Sequence, residues 1–597
     1  MTRTTGPGLF QPHTLALAVA VGFVAPAQAV NFNIGEIEGQ FDSSLSVGAS
    51  WSMRSPDRDL IGPNNGGQGQ AQTGDDGRLN FKKGETFSKI FKGIHDLELK
   101  YRDTGVFVRG KYWYDFELKD ESRLFKDIDD SNRKEGAQSS GAEILDAFLY
   151  HNYAIGDLPG TVRIGKQVVS WGESTFIGNS INAINPIDVA AFRRPGAEIK
   201  EGLIPVNMLY LSQSLTDQLS MEAFYQLEWD QTIIDNCGTF FSTADVAADG
   251  CDNGYHIGSP AIAPLQPVAA AFGQGFRVDS EGVILPRAGD RDARDSGQWG
   301  LALRWLGDET EYGAYFMNYH SRTPIVSTQN AGLATLAALP GIIGTANGIV
   351  PGSGAGLAQS VMLGNGRYYL EYPEDIRLYG MSFSTTLPTG TAWAGEVSYR
   401  PNLPLQINTT DMTLSLLNPI APGAAPVAAG PGQDNVGYRR KEVTQVQTTF
   451  THFFDQVMGA GRFTLVGEIG MAHVGGLESR EDLRYGRDSL FGAYGFRGDT
   501  HGFVTSTSWG YRVRGIWEYS NVFAGVNLKP NISWSHDVDG YGPNGLFNEG
   551  SKAVSIGIDA DYRNTYTASL SYTDFFGGEY NTAVDRDFLA LSFGVSF

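Results

Sequence analysis

From Asp587 to Phe597 the chain reads DFLALSFGVSF. Leu589, Leu591, Phe593, Val595 and Phe597 share one face of a strand, and Ala590, Ser592, Gly594 and Ser596 the other. In a soluble sandwich the apolar face would be core. A strand that ends the chain on an aromatic residue also has the form of the closing strand of an outer-membrane barrel, apolar face to lipid and small face to lumen. In that setting Phe597 is the expected membrane-assembly signal. Eighteen runs with this period are found, each of about 10 to 16 residues, the length of a tilted membrane-crossing strand. In the second run Leu97, Leu99 and Tyr101 oppose Asp96, Glu98, Lys100 and Arg102. The third sets Val106, Val108, Tyr112, Tyr114 and Phe116 against Arg109, Lys111, Asp115 and Glu117. Charges placed so regularly opposite aromatics need water on their own side.

The connections alternate too. Short turns follow the even-numbered runs, at 103–105, 156–160, 215–217, 307–310, 388–390, 455–461, 520–522 and 563–564. Long connections follow the odd-numbered runs, at 54–86, 119–142, 172–203, 231–296, 322–373, 401–440, 475–505, 537–550 and 575–586. Short turns on one side and long loops on the other, with an even strand count, predict an all-β fold: a transmembrane antiparallel β-barrel of about 18 strands, with long outer loops and short periplasmic turns. Trp51, Trp229, Trp299, Trp305, Trp393, Trp509, Trp517 and Trp534 fall on outward phases, where aromatic girdles belong. Lys166 falls on a lipid-facing phase and is expected near the rim.

Composition agrees with this reading. The 597 residues include 75 Gly, 34 Phe, 26 Tyr and 10 Trp, and no stretch beyond the N-terminus has the 18 or so unbroken apolar residues of a spanning helix. With 66 acidic and 45 basic residues, a net charge of −21, the chain lacks the basic surface that holds nucleic acid. Arg3, the apolar stretch from Leu15 to Val24 and Ala27-Gln28-Ala29 read as a secretory signal peptide over 1–29, leaving a barrel over 30–597. Export would place Cys237 and Cys251 in an oxidising compartment, where a disulfide closing this loop is expected.

Four stretches resemble a family of proteobacterial outer-membrane proteins of about this length, catalogued as a domain of unknown function. They are GRLNFKKGETFSKIF from Gly77, RGKYWYDFELKDESRLFKDI from Arg109, RIGKQVVSWGESTFIGNSINAINPIDVAAFRRPGAEIKEGLIPVNMLY from Arg163, and CGTFFSTADVAADGCDN from Cys237. The resemblance covers nearly the whole chain and implies a membrane β-barrel. It further implies a gene neighbourhood with a second exported family, large resistance-nodulation-division (RND) exporters, and genes for handling lipids, aromatics or steroids. It carries over no catalytic residue.

Candidate chemistry concentrates in the third long loop, 172–203. Trp171-Gly172-Glu173 enters it, and Asn185-Pro186-Ile187-Asp188 reads as a turn opening a short helix. Val189 to Phe192 offers an apolar face, and Arg193-Arg194-Pro195 follows. Folded inward, this loop would place Trp171, Glu173, Asp188, Arg193, Arg194, Glu198, Lys200 and Glu201 along a constriction, where a few charges set what passes. Left outside, it is a solvated surface loop. The wall charges Arg109, Lys111, Arg163, Arg304, Arg400, Arg512, Arg514 and Lys529, beside Asp115, Glu117, Asp146, Glu222, Glu396, Glu468, Glu518, Asp559 and Asp561, carry both signs and read mainly as self-paired structure. Apolar loops at 258–272 and 329–363 either meet a hydrophobic ligand or lipid, or pack on each other over the barrel mouth.

No G-x-S-x-G, H-E-x-x-H or zinc spacing occurs. The run from Asp537 to Gly542 falls short of a calcium loop at Tyr541. Neither an enzyme, a cofactor nor a metal is expected. The sequence predicts an outer-membrane channel or transporter for hydrophobic or amphipathic molecules, lipid-like or aromatic. A general small-solute porin is the first alternative, and a non-transporting envelope protein docking a periplasmic partner or RND-type exporter the second. Outer-membrane lipid and the barrel-assembly machinery are the expected partners.

Overall fold

The computed structural model describes residues 30–492 and 499–597. The segment read as a signal peptide, 1–29, lies outside the described residues, as does Arg497 of an Arg-Gly-Asp run. Eighteen strands form the barrel. They are β1 Ile37–Ser52, β2 Thr86–Tyr101, β3 Thr104–Asp115, β4 Ser140–Ile155, β5 Leu158–Gln167, β6 Val206–Ser214, β7 Leu219–Gln226, β8 Trp299–Leu306 and β9 Thr310–Tyr319. The second half is β10 Ile376–Thr386, β11 Ala392–Gln406, β12 Tyr438–Asp455, β13 Arg462–Gly475, β14 Thr507–Phe523, β15 Val526–Asp539, β16 Lys552–Tyr562, β17 Tyr566–Phe576 and β18 Phe588–Ser596.

Every neighbour is antiparallel, and β1 closes the ring by pairing with both β2 and β18. Below the end of β18 the short strand Val30–Ile34 continues the seam along Ile37 to Phe41. Phe597 is tied into that seam: its N–H donates to the Ser43 carbonyl at 2.8 Å, and its carbonyl accepts from the Ser43 N–H at 2.6 Å.

The alternation runs opposite to that of a water-soluble protein. Met381 and Ile556 are 65% and 59% exposed on the outer surface, whereas Lys111 and Glu468, on the lumen phase, are 4% and 1% exposed. Aliphatic side chains outside and buried carboxylates inside are stable only with hydrocarbon around the barrel. Aromatic pairs mark both rims, with Trp299 on Phe316 (5.2 Å) at the outer end and Trp305 on Tyr312 (5.6 Å) and Trp393 on Phe450 (5.8 Å) at the periplasmic end. Lys166, next to last in β5, donates to the Ile144 carbonyl at 2.9 Å at the outer rim. Among the described residues no helix is long and apolar enough to cross a membrane.

Three details differ from the sequence reading. Trp229 lies in the fourth outer loop, because β7 ends at Gln226; it packs on Tyr372 at 4.7 Å, and its Nε1 donates to the Ser321 carbonyl. The turn between β14 and β15 falls at Ala524 and Gly525 rather than at 520–522, and both residues are left-handed, at φ +49° and +89°. Phe116 to Leu118 belong to a short helix that Asp115 caps, taking the N–H groups of Glu117 and Leu118.

Above the membrane the outer loops build a crown. Helices α1 (Leu333–Ile349) and α2 (Gly354–Asn365) bury Ile342, Leu357, Val361 and Met362 against Leu265, Val268 and Phe276. The two apolar loops therefore pack on each other. Of their large apolar side chains, Phe272, Leu333, Ile349 and Val350 remain exposed.

Cys237 and Cys251 are disulfide-bonded in the fourth loop, 14 residues apart. Removing that cross-link from a loop of this length is expected to cost about 3 kcal/mol of local stability. Cys251→Ser should thus make the crown near residue 240 markedly more sensitive to thermolysin, with the barrel unchanged; equal cleavage would show the bond to be dispensable.

Candidate functional site

The third outer loop, 168–205, leaves β5 and returns to β6 through a neck centred on the Asn185 side chain. Asn185 accepts the Val169 N–H at 3.0 Å and donates to the carbonyls of Gln167 (3.2 Å) and Ile204 (2.9 Å). Two arms extend from this neck into the lumen.

The first arm, 171–184, is anchored by Trp171. Its ring is fully buried against Phe224 (5.1 Å) and Tyr315 (5.9 Å), and its Nε1 donates to Glu222 at 2.7 Å. Gly172 follows at φ +91°, where a Cβ would strike the Glu396 carboxylate. The backbone then runs along the wall. Glu396 of β11 accepts the N–H groups of Glu173 and Ile181. Glu468 of β13 accepts those of Thr175 (2.9 Å), Phe176 (2.6 Å) and Ile177 (2.7 Å), together with the Thr449 hydroxyl (3.1 Å). Gln447 and Gln445 donate to the carbonyls of Ile177 and Gly178, and Arg400 to that of Ser180. Both carboxylates are deeply buried and are answered here by backbone dipoles, a strong arrangement at a buried site.

The second arm, 186–203, reaches the opposite wall. Asp188 caps the helix Val189–Arg193 and pairs with Lys111 of β3 at 3.1 Å. Glu201 pairs with Lys92 of β2 at 2.6 Å, and the same ammonium donates to the Gly196 carbonyl at 2.7 Å. Pro195 lies against Gly48 of β1, and Gly196 against Ser592 of β18. With one arm on β13 and the other on β1, β2 and β18, the loop crosses the lumen.

The eight loop residues named from sequence do not form one ring. Trp171, Asp188 and Glu201 are buried anchors. Glu173 is half-buried beside Glu396, and burial pushes its carboxyl pKa up, against the pull of Arg304. Arg193 stacks on Phe241 (4.9 Å) and pairs with Asp235, whose carboxyl burial likewise pushes up, Arg193 opposing. Arg194 stacks on Trp113 (4.4 Å) and donates to the Gly136 carbonyl at 2.7 Å. Glu198 and Lys200 pair at 3.0 Å, partly exposed, near β1. The residues that hold the loop in place, Glu396 and Glu468 above all, look in the sequence like wall charges and nothing more. Their inward phase was visible, but the backbone N–H groups they bind leave no mark in a sequence.

Outward of the first arm lies a cavity of 270 Å³. Asn179, Asn182 and Asn185 of the loop, Ile376, Leu403 and Val443 at the outer ends of the wall strands, and Leu546 of the eighth outer loop all line it, together with Arg322 and Arg400. Its surface mixes apolar groups with amides and guanidinium groups.

A closed barrel with an apolar belt, a polar lumen and a loop folded across it defines an outer-membrane β-barrel protein of porin-like build. The chain belongs to the family described as protein of unknown function (DUF1302), whose match spans residues 11–597. No curated protein matches it. Among solved structures it is similar to Acinetobacter baumannii OccAB3 (9% identity, TM-score 0.39, covering 93% of this chain and 99% of that one). It is also similar to Pseudomonas aeruginosa OpdK with vanillate (9%, 0.37, 93% and 98%) and to the Acinetobacter baumannii outer membrane channel DcaP (9%, 0.33, 95% and 100%). At that level of similarity it is the barrel's own geometry that carries the reading.

Proposed function

We propose that the protein is an outer-membrane channel in which the third loop meters passage, and that it passes small hydrophobic or amphipathic molecules, lipid-like or aromatic. The 270 Å³ cavity supports this most directly. Ile187, Val189, Leu403 and Leu546 offer an apolar ligand accessible surface, while the amides of Asn179 and Asn182 suit a polar end group. A cavity of that size fits a molecule of roughly one or two rings, given that about 150 Å³ accommodates benzene. The buried arm below it would have to shift for transit, which disfavours a general porin.

The test is solute uptake by vesicles holding the refolded barrel, comparing aromatic carboxylates and short fatty acids with sugars of similar mass. Faster uptake of the amphipathic set, reduced about tenfold by Leu403→Trp, is expected from the transfer free energy of the blocked surface. Equal rates for both sets would favour the small-solute porin instead. The pinned arm also supports a second reading, an envelope protein that docks a periplasmic partner or RND-type exporter without transport. Vesicles silent to every solute, with a periplasmic protein retained on the barrel, would favour it.

A further inference from the structure

The crown holds a buried acidic trio that joins two loops. Asp75 and Asp76 belong to the first outer loop and Asp245 to the fourth, and carboxylate oxygens of the three lie within 4.8 Å of one another. Their exposures are 0%, 6% and 1%. Asp76 is answered by Lys126, at 2.9 and 3.0 Å, and Lys126 also pairs with Glu281 at 2.6 Å. Among the described residues Asp75 and Asp245 pair with no cationic side chain.

On each of those two carboxylates one oxygen is satisfied and the other is not. Asp75 Oδ2 accepts the Gly62 N–H (2.8 Å) and the Asn65 amide (3.0 Å), and Asp245 Oδ2 accepts the Asp76 N–H (3.1 Å). Asp75 Oδ1 and Asp245 Oδ1 are buried with no hydrogen-bond partner. Orphaned carboxylate oxygens in the interior are among the costliest groups a fold can bury, and like charges this close repel.

We propose that Asp75, Asp76 and Asp245 hold one Ca²⁺ that fastens the first outer loop to the fourth. An all-oxygen, carboxylate donor set suits a hard cation. Oxygens that all lie within 4.8 Å of one another can be reached by Ca–O bonds of about 2.4 Å, and the flexible coordination of Ca²⁺ suits a protein-only carboxylate set better than the strict octahedron of Mg²⁺, which keeps several waters. The ion gives the two orphaned oxygens their partner, and Lys126 remains the counter-charge for Asp76 and Glu281.

Calcium titration of the full-length, chelator-treated barrel in detergent free of lipopolysaccharide tests this, with CaCl₂ as the probe. One ion per chain is expected, with a dissociation constant of about 0.1 to 1 mM, the range of extracellular sites. Asp245→Asn and Asp75→Asn should each weaken binding at least tenfold, while Asp157→Asn, in the short turn between β4 and β5 at the far end of the barrel, leaves it unchanged. Heat-modifiable migration on gels shows that each variant still holds a folded barrel. As a second readout, Ca²⁺ should slow trypsin cleavage after Lys126 in the wild type and in Asp157→Asn but not in Asp245→Asn. Lack of saturable binding by the folded wild type, or binding undiminished in Asp75→Asn plus Asp245→Asn, would overturn the site and leave a trio that shares protons.

Discussion

Replacing Glu468 with Ala is expected to raise the frequency of channel openings about a hundredfold. Its carboxylate accepts the backbone N–H groups of Thr175, Phe176 and Ile177 and the Thr449 hydroxyl, and it is the far anchor of the first arm. Hydrogen bonds to a charged group contribute about 1.5–3 kcal/mol each, and a loop that loses its partner can still recover water bonds once it swings away from the wall. A net loss of about 3 kcal/mol is a reasonable lower bound, and each 1.4 kcal/mol is tenfold in population. The measurement is single-channel recording of the refolded protein in a planar bilayer, wild type against Glu468→Ala and Glu468→Ala plus Glu396→Ala. The double variant should conduct most, since Glu396 holds Glu173 and Ile181 on the neighbouring stretch. Arg193→Ala plus Arg194→Ala should change conductance less, because those guanidinium groups grip Asp235, Phe241, Trp113 and Gly136 rather than the lumen wall of the first arm. Identical traces from the wild type and both Glu variants would remove the arm from any role as a gate.

Arg484→Ala should loosen the crown while sparing the barrel. Arg484 and Asp411 are an ion pair with both side chains fully buried, joined by two hydrogen bonds, one of them 2.9 Å from Nε. The pair links the sixth outer loop, through the helix Thr409–Ser415, to the seventh. Asn408 reinforces that link by donating to the carbonyls of Gly486 and Arg487, and the guanidinium lies 4.9 Å over Phe503. Removing one member leaves an uncompensated buried carboxylate, at a cost of about 3–5 kcal/mol. Thermolysin cleavage within 407–437 should rise by at least a hundredfold, with heat-modifiable migration retained. Arg484→Met plus Asp411→Leu should recover much of the resistance, because an apolar pair of similar volume carries no stranded charge. Cleavage as slow in Arg484→Ala as in the wild type would mean that the hydrophobic contacts of this cluster, Leu405, Ile407 and Met412 among them, hold the loops by themselves.

The strands, their number and the segregation of short turns from long loops were legible in the order of residues. A membrane barrel has lipid on one side of every strand and lumen on the other, so its pattern is local and has period two. The run from Val106 to Asp115 can be assigned its faces from its own residues. The neck of the third loop was legible in part, because Asn185-Pro186 signals a turn wherever it occurs.

What the wall charges do was not legible. Glu396 and Glu468 look the same in sequence as Asp559, which takes an amide from Asn531 and a hydroxyl from Ser569 on its own wall. Their partners are main-chain donors more than 200 residues away in the chain. The apolar loops posed the same difficulty: 258–272 and 329–363 each show an unpaired greasy face, and only their approach makes each the cover of the other.

The sequence by itself thus determined that the protein is a closed membrane barrel of about 18 strands, because alternation and loop length are properties of neighbouring residues. The tertiary structure alone decided that the third loop crosses the lumen and that buried carboxylates hold it there. It decided also that acidic residues from separate loops meet in the crown, because contacts between distant segments depend on where the closed sheet brings their ends.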